Sequence, residues 1–175
     1  MFRTRSWLLL AVMSAAGTSV AAQTTTSLTD AQIAHIAYTA GQIEIAAANL
    51  ALKNSSNPSV IAFANATLND YTAANKTALS SLANANINPE DNAISQSLAG
   101  AGTEHWQQLS QLSGATFDRA YAQNELAFHI LITGALEAKL IPSTQNGPVK
   151  NLLQNELALF KQHQDAATQL KSQFK

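Results

Sequence analysis

Five side chains in this sequence combine chemical capability with a place on the inner face of a helix: Glu44, Glu125, His129, Glu156 and His163. From Val149 onward, Leu152, Leu153, Glu156, Phe160, His163, Ala167 and Leu170 recur at steps of three and four. At about 100° per residue they share one helix face, with Glu156 and His163 near its centre. Phe117, Tyr121, Phe128, Ile132 and Leu136 mark a second stripe, with Glu125 within about 40° of its centre and His129 on its shoulder. Glu44 lies near the edge of a third stripe built from Ile33, Ala40 and Ala47, while His35 falls on the opposite face and is expected in solvent. Tyr71 is central to a fourth stripe, and Asp70 points well away from it. A carboxylate or imidazole turned toward a core is costly unless it is paired, hydrogen-bonded or bound to a metal.

Two chemistries follow. Carboxylates and imidazoles converging from several helices are how di-iron and di-manganese centres are built, and such a centre would take a divalent metal, iron or manganese. Its standard form has a Glu on each of two helices and Glu-x-x-His on each of the other two. This chain offers Glu125-x-x-x-His129 and a spacing of seven from Glu156 to His163, with no Glu-x-x-His. The other chemistry is a metal-free Glu/His network that fixes helix register. Helices joined near residues 140 and 148 place opposite one another positions whose numbers sum to about 288. Glu125 is therefore expected to face His163, and His129 to face the stretch from Glu156 to Phe160.

The elements that must carry these residues are helical throughout. Thr29-Asp30-Ala31-Gln32 reads as a capping box that opens the first helix, which fades at Lys53-Asn54-Ser55-Ser56. Asn57-Pro58 opens the second, running to about Ala85, with Asn as N-cap and Pro in the first turn. The stretch from Asn86 to Gly102 holds Pro89, Gly100 and Gly102 and has no sustained period. It reads as a crossover with a short extra helix before or around Trp106 to Leu112. Ser113-Gly114 opens the third long helix, whose end Pro142 follows, and Gly147-Pro148 introduces the last, to about Phe174. Strand alternation and Gly-rich phosphate loops are absent from the sequence. The fold class is all-α: a ferritin-like four-helix bundle with a long crossover.

Arg3 and Arg5 precede an apolar run from Trp7 to Ala16, and Val20-Ala21-Ala22 supplies the small residues a signal peptidase reads. Residues 1–22 are therefore expected to be an export signal cleaved before Gln23, 23–28 a flexible leader, and 29–175 the bundle domain. The mature chain then carries eight basic against eleven acidic residues, a net charge of −3. That balance lacks the basic patch nucleic acid requires. The apolar run is shorter than the roughly 20 residues of a spanning helix, so no transmembrane segment is expected in the mature chain. With no cysteine in the sequence, core packing must hold the fold without disulfides.

Several segments resemble a known family. They are Ala40-Gly41-Gln42-Ile43-Glu44, Asn57-Pro58-Ser59-Val60, Leu68-Asn69-Asp70-Tyr71-Thr72-Ala73-Ala74-Asn75, and the specific run Ser113-Gly114-Ala115-Thr116-Phe117-Asp118-Arg119-Ala120-Tyr121. Together with His129 and His163 they look like the exported bacterial family termed domain of unknown function 4142, over about residues 30–172. The resemblance implies a ferritin-like fold and a periplasmic location. It also implies Asp-His pairs on the second helix and on the helix after Phe-Asp-Arg-Ala-Tyr, with a further His on the last. Here Tyr71 follows Asp70 where the pattern has His, and Phe128 precedes His129 where it has Asp. His163 and Glu44 match. The expected function is a non-catalytic periplasmic binding or structural protein with a buried Glu/His network. The alternative is a metal-dependent redox or storage protein with ligands drawn from Glu44, Glu125, His129, Glu156 and His163.

Overall fold

A computed structural model describes residues 27–174 of the chain. The expected export signal and residues 23–26 of the leader lie outside the described residues. Among the described residues the secondary structure is all helical: α1 (Asp30–Asn54), α2 (Pro58–Asn84), α3 (Ala93–Leu109), α4 (Gly114–Ala135), a π-helical turn (Leu136–Leu140), the single turn α5 (Ile141–Ser143) and α6 (Gly147–Ser172).

The helix starts form where side chains satisfy free backbone N–H groups. Thr29 Oγ1 accepts from the Gln32 N–H at 3.2 Å, and Gln32 Oε1 accepts from the Thr29 N–H at 3.1 Å, closing the expected capping box. Asn57 accepts from the N–H groups of Ser59 and Val60, with Pro58 in the first turn. Asn146 accepts from Val149 N–H at 3.2 Å. Beyond the end of α2, Asn86 takes φ +55°, a left-handed conformation that Asn tolerates better than most residues.

Two elements differ from expectation. The crossover is not a loop with a short helix near its end, because α3 begins at Ala93 and runs for 17 residues. Asn92 caps it, accepting from the Ile94 and Ser95 N–H groups. Its glycines do not break it: a Cβ on Gly102 would stand 3.2 Å from the side chain of Ile43, so this Gly lets α3 lie close against α1. Nor does Pro142 follow the end of a helix. The rod from Gly114 continues to Ser143, with the Ile141 N–H reaching the Leu136 carbonyl across five residues. That wider turn carries the helix past a residue with no N–H to give. By length and composition alone this 30-residue rod is apolar enough to cross a membrane.

α1 packs on α2 and α4 on α6, while α2 also meets α6 and α3 lies on α1. The buried apolar residues form two groups at opposite ends. One joins Ile33, Ile36, Leu82, Ile132, Leu136, Val149 and Leu153; the other joins Ala47, Val60, Ala64, Phe117, Ala122, Ala167 and Leu170. Following the chain through both groups shows that α1 and α6 run one way and α2 and α4 the other. Between them lies a band of buried polar side chains, contributed by Glu44, Thr67, Glu125, His129 and His163.

Long-range ties close both ends. The Asp30 carboxylate accepts from the N–H groups of Gln145 (3.0 Å) and Asn146 (2.9 Å), fastening the start of α1 to the α5–α6 connection. The Glu90 N–H donates to Ala31 O, and Asn92 Nδ2 donates to Gln32 O. At the other end Ser55 Oγ donates to Asp118 Oδ1 at 2.6 Å. Asp30→Ala removes two charge-assisted hydrogen bonds and should cost about 2 kcal/mol. Urea denaturation would measure this as a lower midpoint at unchanged slope, with Asp30→Asn retaining part of the loss.

Candidate metal centre

Glu44 of α1 and Glu125 and His129 of α4 meet in the polar band, each no more than 1% exposed. One ligand atom from each lies within 4.8 Å of the other two. The ring of His129 is held from both sides. Its Nδ1 lies 2.7 Å from the Glu125 carbonyl, one helical turn back, and must donate there because a carbonyl can only accept. Nε2 then carries the lone pair and accepts from the Tyr71 hydroxyl at 3.2 Å. Glu44 Oε1 stands 3.7 Å from Nδ1.

Burial governs the charge of this group. It raises the Glu44 carboxyl well above the usual carboxylate range, and the charge of neighbouring Glu125 and a hydrogen bond with it raise it further. Glu125 is pushed up to about 7 by burial, although hydrogen bonds from Glu44 and Asn124 pull the other way. His129 is pushed down to about 4, chiefly by burial, against the pull of the Glu125 carbonyl and with a small contribution from His163. Burial and the surrounding carboxylates keep the Tyr71 phenol protonated. At neutral pH the imidazole is therefore neutral, while burial and the neighbouring Glu125 favour the protonated form of Glu44. Glu44 Oε2 and Glu125 Oε2 are buried without a hydrogen-bond partner among the described residues.

The remaining candidates stand apart from this group. His163 does not pair with Glu125 but turns to α2. There its Nε2 donates to Asp70 Oδ2 at 3.0 Å, and Thr67 lies 3.4 Å from Nδ1. His129 meets the expected stretch of α6 at Phe160, with ring centroids 5.5 Å apart, but forms no hydrogen bond or ion pair with Glu156. Equal height along neighbouring helices sets the level of two residues but not the direction in which each points. His163 still stacks over His129, with ring centroids 5.9 Å apart and planes 22° from parallel. Glu156 lies on the same α6 face, 5% exposed, with Oε2 unpartnered. Burial pushes it up to about 7. His35 is partly exposed, 3.7 Å from Asp91.

Three contributors escaped the sequence. Asp70, expected to point away from the core, reaches back to His163 from the edge of its helix while its own side chain stays 42% exposed. Its position beside Tyr71, where the family pattern has Asp-His, was the available signal. Thr67 sits one turn earlier on α2, fully buried. Asn75, also buried, faces Gly41 of α1 so closely that a Cβ on that Gly would stand 2.5 Å from Asn75 Oδ1. Neither residue type carries a sequence signal for burial.

The fold and the buried Glu/His group together define an all-helical protein with ionisable chemistry in its core. The chain belongs to the family described as domain of unknown function (DUF4142), whose profile matches residues 15–170. Comparison with curated proteins and with solved structures finds no match to the chain.

Glu156 has a folded-state value of about 7 against an ordinary 4.5. Its protonated form therefore favours the fold fully below pH 4.5, and that contribution is lost as pH rises through 7. Glu156→Gln does not titrate, so its stability relative to the parent should rise between pH 4.5 and 8 by about 3 kcal/mol. Paired denaturation curves at pH 5 and pH 8 would show it. An equal difference at both values would remove the assigned burial cost.

Proposed function

We propose that this protein is an exported, non-catalytic metal-binding protein with a ferritin-like four-helix bundle. Glu44, Glu125 and His129 would hold one divalent transition ion in its core. The observation that carries the reading is the meeting of three buried ligand atoms within 4.8 Å, two of the residues having carboxylate oxygens left without partners. Ligand pairs around an ion with bonds of about 2.1 Å span about 3–4.2 Å, so small side-chain movements would close the set. Two carboxylates neutralise a doubly charged ion, which suits a dry interior. A mixed oxygen and imidazole set suits manganese, iron or zinc rather than a thiolate-seeking metal. His129 donates Nδ1–H to a backbone carbonyl, the usual partner that orients a metal-binding imidazole.

The bundle assignment is supported by two antiparallel pairs, α1/α2 and α4/α6, with α3 inside the long connection between them. Export to the periplasm is supported by the basic, apolar and small-residue order of the first 22 residues. A second reading is favoured by one observation: both nitrogens of His129 already have protein partners. On that reading the group is a protonated structural network that never takes an ion.

Metal binding and protonation compete for the same oxygens. Glu125 sits near 7 and Glu44 above its ordinary value, so an ion must displace protons. Affinity should therefore fall as pH drops below about 7. Chelator-treated protein should melt later with manganese(II), iron(II) or zinc(II), by about 2.7 kcal/mol at an ion concentration a hundred times Kd. Glu44→Gln and Glu125→Gln should each abolish that shift while leaving the metal-free protein at least as stable. Elemental analysis after purification without chelator would be the direct measurement. No bound metal, and no melting shift at millimolar ion, would leave the structural network as the function of the group.

A further inference from the structure

Away from this centre, Glu156 forms part of the floor of a surface cleft between α2 and α6. The cleft encloses about 470 Å³. On the α2 side its wall is Ala73, Ala74, Thr77, Ala78 and Ser81, all too small to fill the gap. Across from them stand Asn151 and Asn155, both exposed on the rim, with Leu152 and Glu156 buried below.

Glu156 is an unusual floor. It is 5% exposed, its Oε2 has no hydrogen-bond partner, and no Lys, Arg or His forms an ion pair with it among the described residues. A buried carboxylate without a counter-charge is costly, and the cleft is where a cation could reach it. A metal ion is a poor fit because Glu156 belongs to no group of metal-ligating residues among those described. The walls suit something else. Ala73, Ala74, Ala78 and Leu152 offer apolar contact to a short aliphatic stem, while the rim amides and the Thr77 and Ser81 hydroxyls can accept hydrogen bonds.

We propose that the α2–α6 cleft binds a short aliphatic amine, with its ammonium paired to Glu156, its stem along the alanines and a second polar end at Asn151 and Asn155. The charge match selects the ligand class, and the lack of bulk on α2 gives it room. This site is separate from the Glu44–Glu125–His129 centre and does not depend on that centre holding a metal.

The test is calorimetric titration of the full chain with 1,4-diaminobutane at pH 8, with 1,4-butanediol as the uncharged probe of equal length. The diamine should bind saturably at one site per chain, and the diol should not. Glu156→Gln should weaken diamine binding by at least roughly tenfold, since it removes one partner of a buried charge pair. Ala74→Leu keeps the carboxylate but fills the cleft, and should also block binding while circular dichroism shows the helices intact. Metal-induced melting shifts should be the same in Glu156→Gln as in the parent, which separates the two sites. The proposal is overturned by the absence of saturable diamine binding, by equal binding of the diol, or by undiminished binding in both variants.

Discussion

Two carboxyl groups that share a dry compartment cannot both be ionised without a compensating positive charge, and the band at mid-height is built around that constraint. Glu44 and Glu125 come from different helices, α1 and α4, yet both are almost fully excluded from solvent. Leaving an ionised pair there would cost several kcal/mol per charge even after relaxation. A proton held on Glu44 or a cation between the two are alternative ways of meeting the same electrostatic condition. The apolar groups above and below the band enforce it by keeping water out. The packing that stabilises the fold is thus also what gives the carboxyls their elevated proton affinity.

The histidines divide the work of connecting this compartment to the outside. His129 is wholly internal: one nitrogen faces its own helix backbone and the other faces Tyr71. His163 lies beside it but is hydrogen-bonded to Asp70, whose side chain is substantially exposed. Phe160 and Phe63 close around the pair, with ring centroids 5.5 and 6.4 Å from His129. An imidazole surrounded by aromatic rings and fixed at both nitrogens has one tautomer and one orientation, which is the preorganisation a binding group needs. Gly41 contributes by absence, since a side chain there would collide with the Asn75 amide and force it to move.

Much of this was legible in the residues. Capping positions at Thr29 and Asn57 carry a local chemical signal, and each forms the expected bonds; Asn146 caps the last helix without having been singled out. The apolar periodicity placed Glu125, Glu156 and His163 on inward faces because burial of a helix stripe depends mostly on its own sequence. The crossover helix α3 was not legible at its true length. Pro89, Gly100 and Gly102 read as breaks, yet α3 starts after the proline and passes through both glycines, the second of which lets it lie against α1. Partner choice was the other gap. Counting along two helices ranks residues by height, but which neighbour each side chain turns to depends on helix rotation and on the third and fourth helices. Hence Glu125 meets Glu44 instead of His163, and Asp70 enters from an edge that periodicity assigned to solvent.

Spacing along α6 explains why its two polar residues serve different ends. Seven residues of helix span about 10.5 Å, so Glu156 and His163 share a face but not a location. No single ion could be bound by both without bending the helix, and α6 is continuous from Gly147 to Ser172. His163 therefore falls at the level of the Glu44–Glu125 compartment and supports it from the side. Glu156 falls where α2 presents only small residues and the wall thins. The same carboxyl chemistry is thereby placed in two settings: a closed compartment with a second carboxyl for company, and a solitary position under a cleft. What distinguishes them is the bulk of the side chains on the facing helix.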